Sequence, residues 1–277
     1  MLTKKSVRRN ITQTAAIIER NIFFEMRFKL ALFTSFLNPF VRILMPLIIF
    51  GAIFSISEDY SFGYWTGENY LLFLLIAFCA QFLRRIVENF SQLFFREKFW
   101  KTLQALMVAP INRYVLLFGI LISEMILISI PFLVFLILAF IIFPISILNL
   151  LIVLVLFFCL SIFFGSLGLI IAVLVVTKEG IYRIFKIGLT FLYWLSCVSY
   201  PLQIFPEIIQ NVILLNPLYY FIDLIRIIWL MGIDYNLAIS FLSPLHIIVV
   251  AIFTILLPIL SVVLFNVFYK KFGITGY

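Results

Sequence analysis

Long apolar segments constrain this chain more than any other feature of its sequence. A helix needs roughly 20 mostly apolar residues to cross the hydrocarbon core of a bilayer. The chain of 277 residues is 65% hydrophobic, whereas soluble domains are nearer to half apolar, so lipid must be the solvent for most of its surface. The sequence therefore predicts an all-α integral membrane protein with six transmembrane helices, at about 30–55, 69–92, 113–142, 146–176, 183–204 and 245–269.

The basic residues fall on one side of the predicted membrane. Of the 20 Lys and Arg residues, 18 lie in the N-terminal region, in the segment after the second span, in the loop after the fourth span and in the C-terminal tail. The opposite loops instead carry acidic residues, namely Glu58, Asp59, Glu68, Glu207 and Asp234. Because cytosolic loops are enriched in Lys and Arg, both chain ends are predicted to be cytosolic. The same enrichment explains the net charge of +8 without a nucleic-acid partner.

Two segments on the predicted cytosolic side have amphipathic spacing. The N-terminal region, 1–29, precedes the transmembrane domain, 30–277, and contains an apolar stripe that predicts a helix lying on the inner leaflet: Ile11, Ala15, Ile18, Ile22 and Met26. The second segment, 94–110, joins spans two and three, and its stripe consists of Phe95, Phe99, Leu103 and Leu106. The pattern alone fits either an ordinary connecting helix or a docking helix for a cytosolic partner.

The apolar stretch 205–232 is too interrupted to be one more span. Asn216-Pro217 divides it into two short helices, the first opening at Pro206 and the second ending before Gly232. A seventh span would also place the basic C-terminal tail outside the cell, against the charge distribution. We therefore predict a re-entrant or interfacial helical hairpin on the outer side, which needs protein or a water-filled cavity to cover it.

Two charges are predicted to lie inside the membrane. Arg42 and Glu124 are each about 17 Å from the cytosolic face of their spans, at 1.5 Å per residue. Equal depth permits an ion pair or a shared polar cavity, and independent snorkelling or a solvated cleft is the alternative. Small residues at spacings of three and four, Gly165, Gly168 and Ala172, predict close helix packing in the fourth span.

The sequence gives no sign of catalysis by this chain. It contains no GxxxxGK[ST] segment to hold a nucleoside triphosphate. Its one histidine, His246, stands near the outer start of the last span, where we interpret it as an interface residue and not as a metal ligand. No pair of carboxylates and no Ser/His/Asp set is found at either face, so no catalytic residue is predicted.

The order of these parts resembles that of one known family. Two segments carry the resemblance. The first is 96–103, continuing to Ala109-Pro110, and the second is 205–226, with Phe205-Pro206, Asn216-Pro217 and a closing Asp223 and Arg226. On these segments the chain resembles the type-two family of ATP-binding-cassette (ABC) exporter permeases, which includes polysaccharide, drug and nodulation-factor exporters.

The resemblance implies partners and roles for individual residues. Two copies of the chain would form the path for an amphiphilic or lipid-linked substrate, as a homodimer in the cell membrane. Two cytosolic ATPase subunits would hold ATP and Mg²⁺, leaving this chain without a cofactor. Coupling to them would use Glu97, Lys98, Phe99, Trp100, Lys101, Thr102 and Leu103, although the family often has glycine where Lys101 stands. The outer gate would use Pro206, Asn216, Pro217, Asp223 and Arg226.

Other functions predict features that are weak or missing here. A secondary transporter predicts inverted repeats and polar midplane sites, but we find no convincing repeat, and only Arg42 and Glu124 lie near the midplane. A membrane-embedded enzyme would need His, Asp or Glu clustered at an interface. Within the exporter family, export of lipid-linked glycans and export of small-molecule drugs both stay open.

Overall fold

The computed structural model describes residues 4–56, 61–101, 113–177 and 181–272, and this part of the chain is almost entirely helical. Apart from one short 3₁₀ turn at Leu202–Ile204, its helices are α1 (Lys4–Arg27), α2 (Lys29–Ile56), α3 (Tyr70–Phe99), α4 (Arg113–Ile142), α5 (Ile147–Thr177), α6 (Ile181–Trp194), α7 (Glu207–Ile213), α8 (Pro217–Met231), α9 (Tyr235–Phe241) and α10 (Pro244–Phe272). Within the described ranges, the all-α prediction is confirmed.

Five of the described helices are long and apolar enough to cross a membrane: α2, α3, α4, α5 and α10. The predicted span at 183–204 differs from the others, because its helix, α6, has only 14 residues and ends at Trp194. At 1.5 Å per residue α6 is about 21 Å long, less than the roughly 30 Å of a hydrocarbon core. A sixth candidate exists only if α7 and α8, which meet at an angle of 92°, are counted as one broken span.

Helix α3 lies at the centre of the bundle. Its most apolar window is 94% buried, whereas that of α10 is 11% buried. Gly168 on α5 allows the two helices to approach closely, because a Cβ atom there would lie 2.8 Å from Phe90 Cβ and 3.2 Å from Val87 Cα. The prediction that the small residues of this span serve packing is confirmed at this position.

The length of α3 corrects one sequence prediction. A span at 69–92 and a separate cytosolic helix from residue 94 were expected, but residues 70–99 form one continuous helix of 30 residues. Such a helix is about 45 Å long and exceeds the hydrocarbon core by about 15 Å. Its last turns must therefore project from the membrane, while residues 102–110 of the predicted coupling segment lie outside the described residues.

Helix α1 packs along α4 at the end of the bundle where α3 terminates, which we call the basic end. Ile17 is buried against Gly119, where a Cβ atom would come within 2.9 Å of Ile17 Cγ2. One turn further along, Asn21 Nδ2 donates a hydrogen bond of 3.2 Å to Ser123 Oγ. Of the predicted apolar stripe, Ile11 and Met26 are 65% and 55% exposed and Ile18 and Ile22 are half-buried, so the bundle covers the stripe only in part.

Candidate functional site

The two short helices that the sequence predicts on either side of Asn216-Pro217 are present as α7 and α8, with an angle of 92° between them. Pro206 is the N-cap of α7, and Gly232 is the C-cap of α8. Asn216 caps α8 from an extended backbone conformation, and its Oδ1 accepts a 3.0 Å hydrogen bond from the Leu218 amide. Pro217 occupies the first turn, where its missing N–H costs nothing. The Asn-Pro pair thus ends one short helix and starts the next.

Asn216 also caps a second helix. Its Nδ2 donates to the carbonyl oxygens of Leu192, at 2.7 Å, and Leu195, at 2.8 Å, in the last turn of α6 and just beyond it. These carbonyls have no partner further along a helix that stops there. Helix α6 starts at the basic end. Trp229, near the end of α8, donates a hydrogen bond to the carbonyl oxygen of Phe143, just after the opposite end of α4. The end of α6 and the start of α8 therefore meet inside the bundle.

Arg226 supports the irregular backbone that follows α6. Its side chain is fully enclosed, and Nη1 and Nη2 donate to the carbonyl oxygens of Cys197, at 2.8 Å, and Val198, at 2.6 Å. The guanidinium carbon also lies 3.6 Å from the centroid of the Phe73 ring, a cation–π contact. Cys197 has a φ of 53°, which a residue other than glycine seldom adopts. Protein therefore covers and bonds this non-helical backbone, as membrane depth requires.

Asp223 does not pair with Arg226, although their spacing permits a pair within α8. Its carboxylate accepts hydrogen bonds from the hydroxyls of Tyr64 and Tyr219, and it lies 3.1 Å from His246 Nε2. Burial raises the pKa of Tyr64 well above its ordinary value, so the phenol keeps its proton and donates. These four residues, the Asp223 cluster, join α8 to α10 and to the segment between α2 and α3.

A small cavity of about 200 Å³ opens beside the Asp223 cluster, with Arg226 and Gln203 in its wall. The outer-gate prediction included Asp223 and Arg226 but missed Tyr64, Tyr219 and His246. Tyr64 is separated from Asp223 by 159 positions and His246 by 23, so only the tertiary structure brings them together.

At the basic end, ion pairs hold α1 against the projecting part of α3. Glu25 lies 3.2 Å from Arg96 and 3.4 Å from Arg85, and Arg20 lies 3.2 Å from Glu97. We call these five residues the α1–α3 ion-pair cluster. Because the pairs link two helices at several points, we expect α1 and α3 to move together.

The residues predicted to couple to an ATPase divide into two groups. Glu97 and Trp100 contact α1, the first through Arg20 and the second through the ring of Phe24, at 5.6 Å between centroids. Phe99, by contrast, is 76% exposed; Lys98 is half-buried and Lys101 is exposed. Thr102 and Leu103 lie outside the described residues.

Lys101 has a φ of 59°, the left-handed conformation that commonly ends a helix and favours glycine. A glycine here would adopt the same backbone without a steric cost. We expect Lys101→Gly to raise the free energy of unfolding by about 0.5–1 kcal/mol, because it removes the steric cost of the left-handed state. Thermal unfolding in detergent measures the change, and Lys101→Ala, which keeps a Cβ, is the matched control and should give no such gain.

The two intramembrane charges are not paired with each other. Arg42 Nη2 lies 4.0 Å from Glu88 Oε1, whereas Glu124 Oε2 accepts a 2.8 Å hydrogen bond from Asn89 Nδ2. The predicted pair is corrected for a physical reason: α3 lies between α2 and α4 and supplies a polar partner to each. Glu124 is buried, while the side chains of Arg42 and Glu88 are 40% and 32% exposed.

Comparison with known proteins gives one family match. A family model described as "ABC-2 type transporter" matches residues 12–230, which is well over half of the chain and includes the end of α3, all of α7 and all but the last residue of α8. A search of curated proteins found no significant match.

Proposed function

Because the chain belongs to the ABC-2 type transporter family and is thus the multi-pass membrane permease of an ABC-type transporter, we propose that two copies form the translocation path of an exporter. A separate cytosolic ATPase, in two copies, drives it and holds ATP and Mg²⁺. The substrate is amphiphilic or lipid-linked, with glycan and drug exporters as the two possibilities within the family.

The charge distribution supports the orientation. The basic end carries α1, the start of α2, the last turns of α3 with Lys101, the start of α4 and the end of α10, and with them 13 of the 20 Lys and Arg residues. Basic residues of short loops and chain ends stay on the cytosolic side of a membrane. The ATPase therefore approaches the basic end, and the α7–α8 hairpin faces the opposite compartment.

The projecting end of α3 is the observation that carries the proposal. An exposed Phe99 beside Lys98 and Lys101 is unexpected on a surface that faces only water. Aromatic side chains surrounded by charges are typical of protein interfaces. This end continues directly into the central helix, so a push on Phe99 reaches the middle of the bundle.

The half-exposed pair of Arg42 and Glu88 supports a path along α2, α3 and α6. Charges at membrane depth are costly in lipid and face protein or water instead. On the same face, Arg84 Nε donates a 2.9 Å hydrogen bond to Glu88 Oε1, and the Arg84 guanidinium stacks on the Tyr193 ring of α6. We infer that this face lines the path between the two copies and that α4, α5 and α10 face lipid.

Co-purification tests the docking. The permease is coexpressed with an ABC-type ATPase from the same genome, and the ATPase recovered per permease is measured. Phe99→Ala should lower the recovery about tenfold, as loss of an interface hot spot does, whereas Phe23→Ala, which removes another exposed phenylalanine of the basic end, should not. Equal recovery with both variants, or full transport by the permease without an ATPase, contradicts the proposal.

The α1–α3 ion-pair cluster gives a second expectation. Arg20→Glu places like charges opposite each other at Glu97, so α1 separates from α3 and transport per ATP hydrolysed should fall severalfold. The double variant Arg20→Glu/Glu97→Arg restores the attraction and should restore coupling. Transport and ATPase rates are measured on the same reconstituted vesicles. A double variant as defective as Arg20→Glu alone would show that the attraction is not what matters.

A further inference from the structure

A long apolar groove runs along the bundle between α1, α4, α5 and α10. It encloses about 690 Å³, and its walls include Ile11, Phe118, Leu121, Ile162 and Val262. This volume lies within the range of small-molecule and lipid sites, roughly 300–1,000 Å³. The α3 residue in its wall is Phe90, two positions and thus about 200° around the helix from Glu88, so the groove is separate from the path proposed above.

The groove has the length of one leaflet. It begins at Tyr114, next to the start of α4 at the basic end, and reaches Ile162, which lies 15 positions before the end of α5 at Thr177. At 1.5 Å per residue this is about 22 Å, against roughly 15 Å for half of a hydrocarbon core. An occupant can thus extend from the headgroup level to the middle of the membrane.

The floor of the groove suits an acyl chain. Its two serines are already bonded to their own helices: Ser166 Oγ donates to Ile162 O and Ser261 Oγ to Pro258 O, both at 2.8 Å. They offer no free hydroxyl proton to a polar ligand. Beyond Tyr114 and the α1 residues at the mouth, the lining is otherwise apolar, so its inner part can bind a hydrocarbon chain but not a sugar.

The mouth of the groove is basic. Arg8 and Arg9 are exposed on α1, within one turn of the groove-lining Asn10 and Ile11, and Lys4 and Lys5 belong to the same helix end. Across the mouth, Asn266 Nδ2 donates to the Tyr114 hydroxyl at 3.2 Å, and Lys270 and Lys271 follow one turn later on α10. Among the residues that the structure describes, none that lines the groove is acidic. Clusters of four or more Lys and Arg residues attract anionic lipid headgroups.

We propose that this groove binds one anionic phospholipid, with one of its acyl chains between α4, α5 and α10 and its phosphate at the N-terminal end of α1. The placement in the cytosolic leaflet rests on the proposed orientation, but binding itself does not. The lipid fills the space between α1 and the bundle and so fixes the helix that the ion-pair cluster connects to α3.

Native mass spectrometry of the full-length protein tests the site, with phosphatidylglycerol and phosphatidylcholine of the same chain length as competing probes. The wild type should retain one phosphatidylglycerol in clear preference to phosphatidylcholine. Arg8→Gln/Arg9→Gln should reduce this preference about tenfold. The matched control, Arg27→Gln/Lys29→Gln, removes the last residue of α1 and the first residue of α2, both far from the groove mouth, and should leave the preference unchanged.

A substitution that fills the groove tests whether an acyl chain binds inside it. Ser166→Phe should abolish retention of both lipids, and a phosphatidylglycerol with a photoreactive group in mid-chain should label α4 or α5 peptides of the wild type. Equal retention of the two lipids by the wild type, an equal effect of the control pair, or labelling confined to α2 and α6 would overturn the proposal. No ATPase or transport is involved, so a failure here is distinct from a failure of the proposed function. Displacement by an exported amphiphile but not by phosphatidylglycerol would assign the groove to substrate and would likewise overturn it.

Discussion

Arg226→Ala is expected to lower the free energy of unfolding by about 4 kcal/mol, the largest effect among the single substitutions considered. Arg226 makes two hydrogen bonds from a charged group, to Cys197 O and Val198 O, and each such bond is worth about 1.5–3 kcal/mol. Alanine leaves both carbonyl oxygens buried without a donor. The folded fraction after a thermal ramp in detergent, followed by size-exclusion chromatography, measures the loss.

Two further variants test whether the lost hydrogen bonds of Arg226 cause the expected loss of stability. Arg226→Lys keeps the charge but lacks the planar fork that reaches two carbonyls, so it should recover only part of the stability. Arg42→Ala removes a half-exposed arginine and should cost less than about 1 kcal/mol. If Arg226→Ala unfolds no more readily than Arg42→Ala, the irregular backbone after α6 does not depend on this side chain.

Asn216→Asp should be nearly as damaging, with a loss of about 3 kcal/mol. Aspartate still accepts from the Leu218 amide, so the cap of α8 survives. It cannot donate to the carbonyl oxygens of Leu192 and Leu195, and it places a negative charge against them, which adds repulsion to two lost hydrogen bonds. The same thermal ramp measures this change.

A conservative replacement at another asparagine provides the control. Asn236→Asp makes the same chemical change at an exposed position of α9, where water solvates the carboxylate, and should be neutral within about 0.5 kcal/mol. If Asn216→Asp were as stable as Asn236→Asp, the capping of α6 by this side chain would be unimportant.

Local signals predicted the hairpin well. Asn-Pro ends one helix and starts another through the chemistry of two neighbouring residues, and the structure has α7 and α8 on either side of this pair. The apolar length of each span likewise predicted α2, α4, α5 and α10 closely. These features depend on adjacent residues, which a sequence displays directly.

Features set by distant residues were not predictable in this way. Hydropathy continues through 183–204, yet α6 ends at Trp194, because Asn216 and Arg226 satisfy the carbonyls that an uninterrupted helix would use itself. Conversely, α3 continues past the charged residues that suggested its end, since Arg85 forms an ion pair with Glu25 on α1. The Asp223 cluster could not be predicted for the same reason, because Tyr64 and His246 are far from Asp223 in the chain.

Helices α6 and α8 follow one another across the bundle as two separate helices. Side-chain hydrogen bonds connect them, whereas main-chain hydrogen bonds would connect the two halves of a single helix. Bending an intact transmembrane helix at mid-depth would sever main-chain bonds, each of them expensive to expose in lipid. At the joint between α6 and α8, breaking the side-chain hydrogen bonds of Asn216 and Arg226 is enough for a bend, and the main-chain hydrogen bonds of both helices stay intact. We therefore expect this joint inside the bundle to act as a hinge, with a stiffness that depends on these two residues.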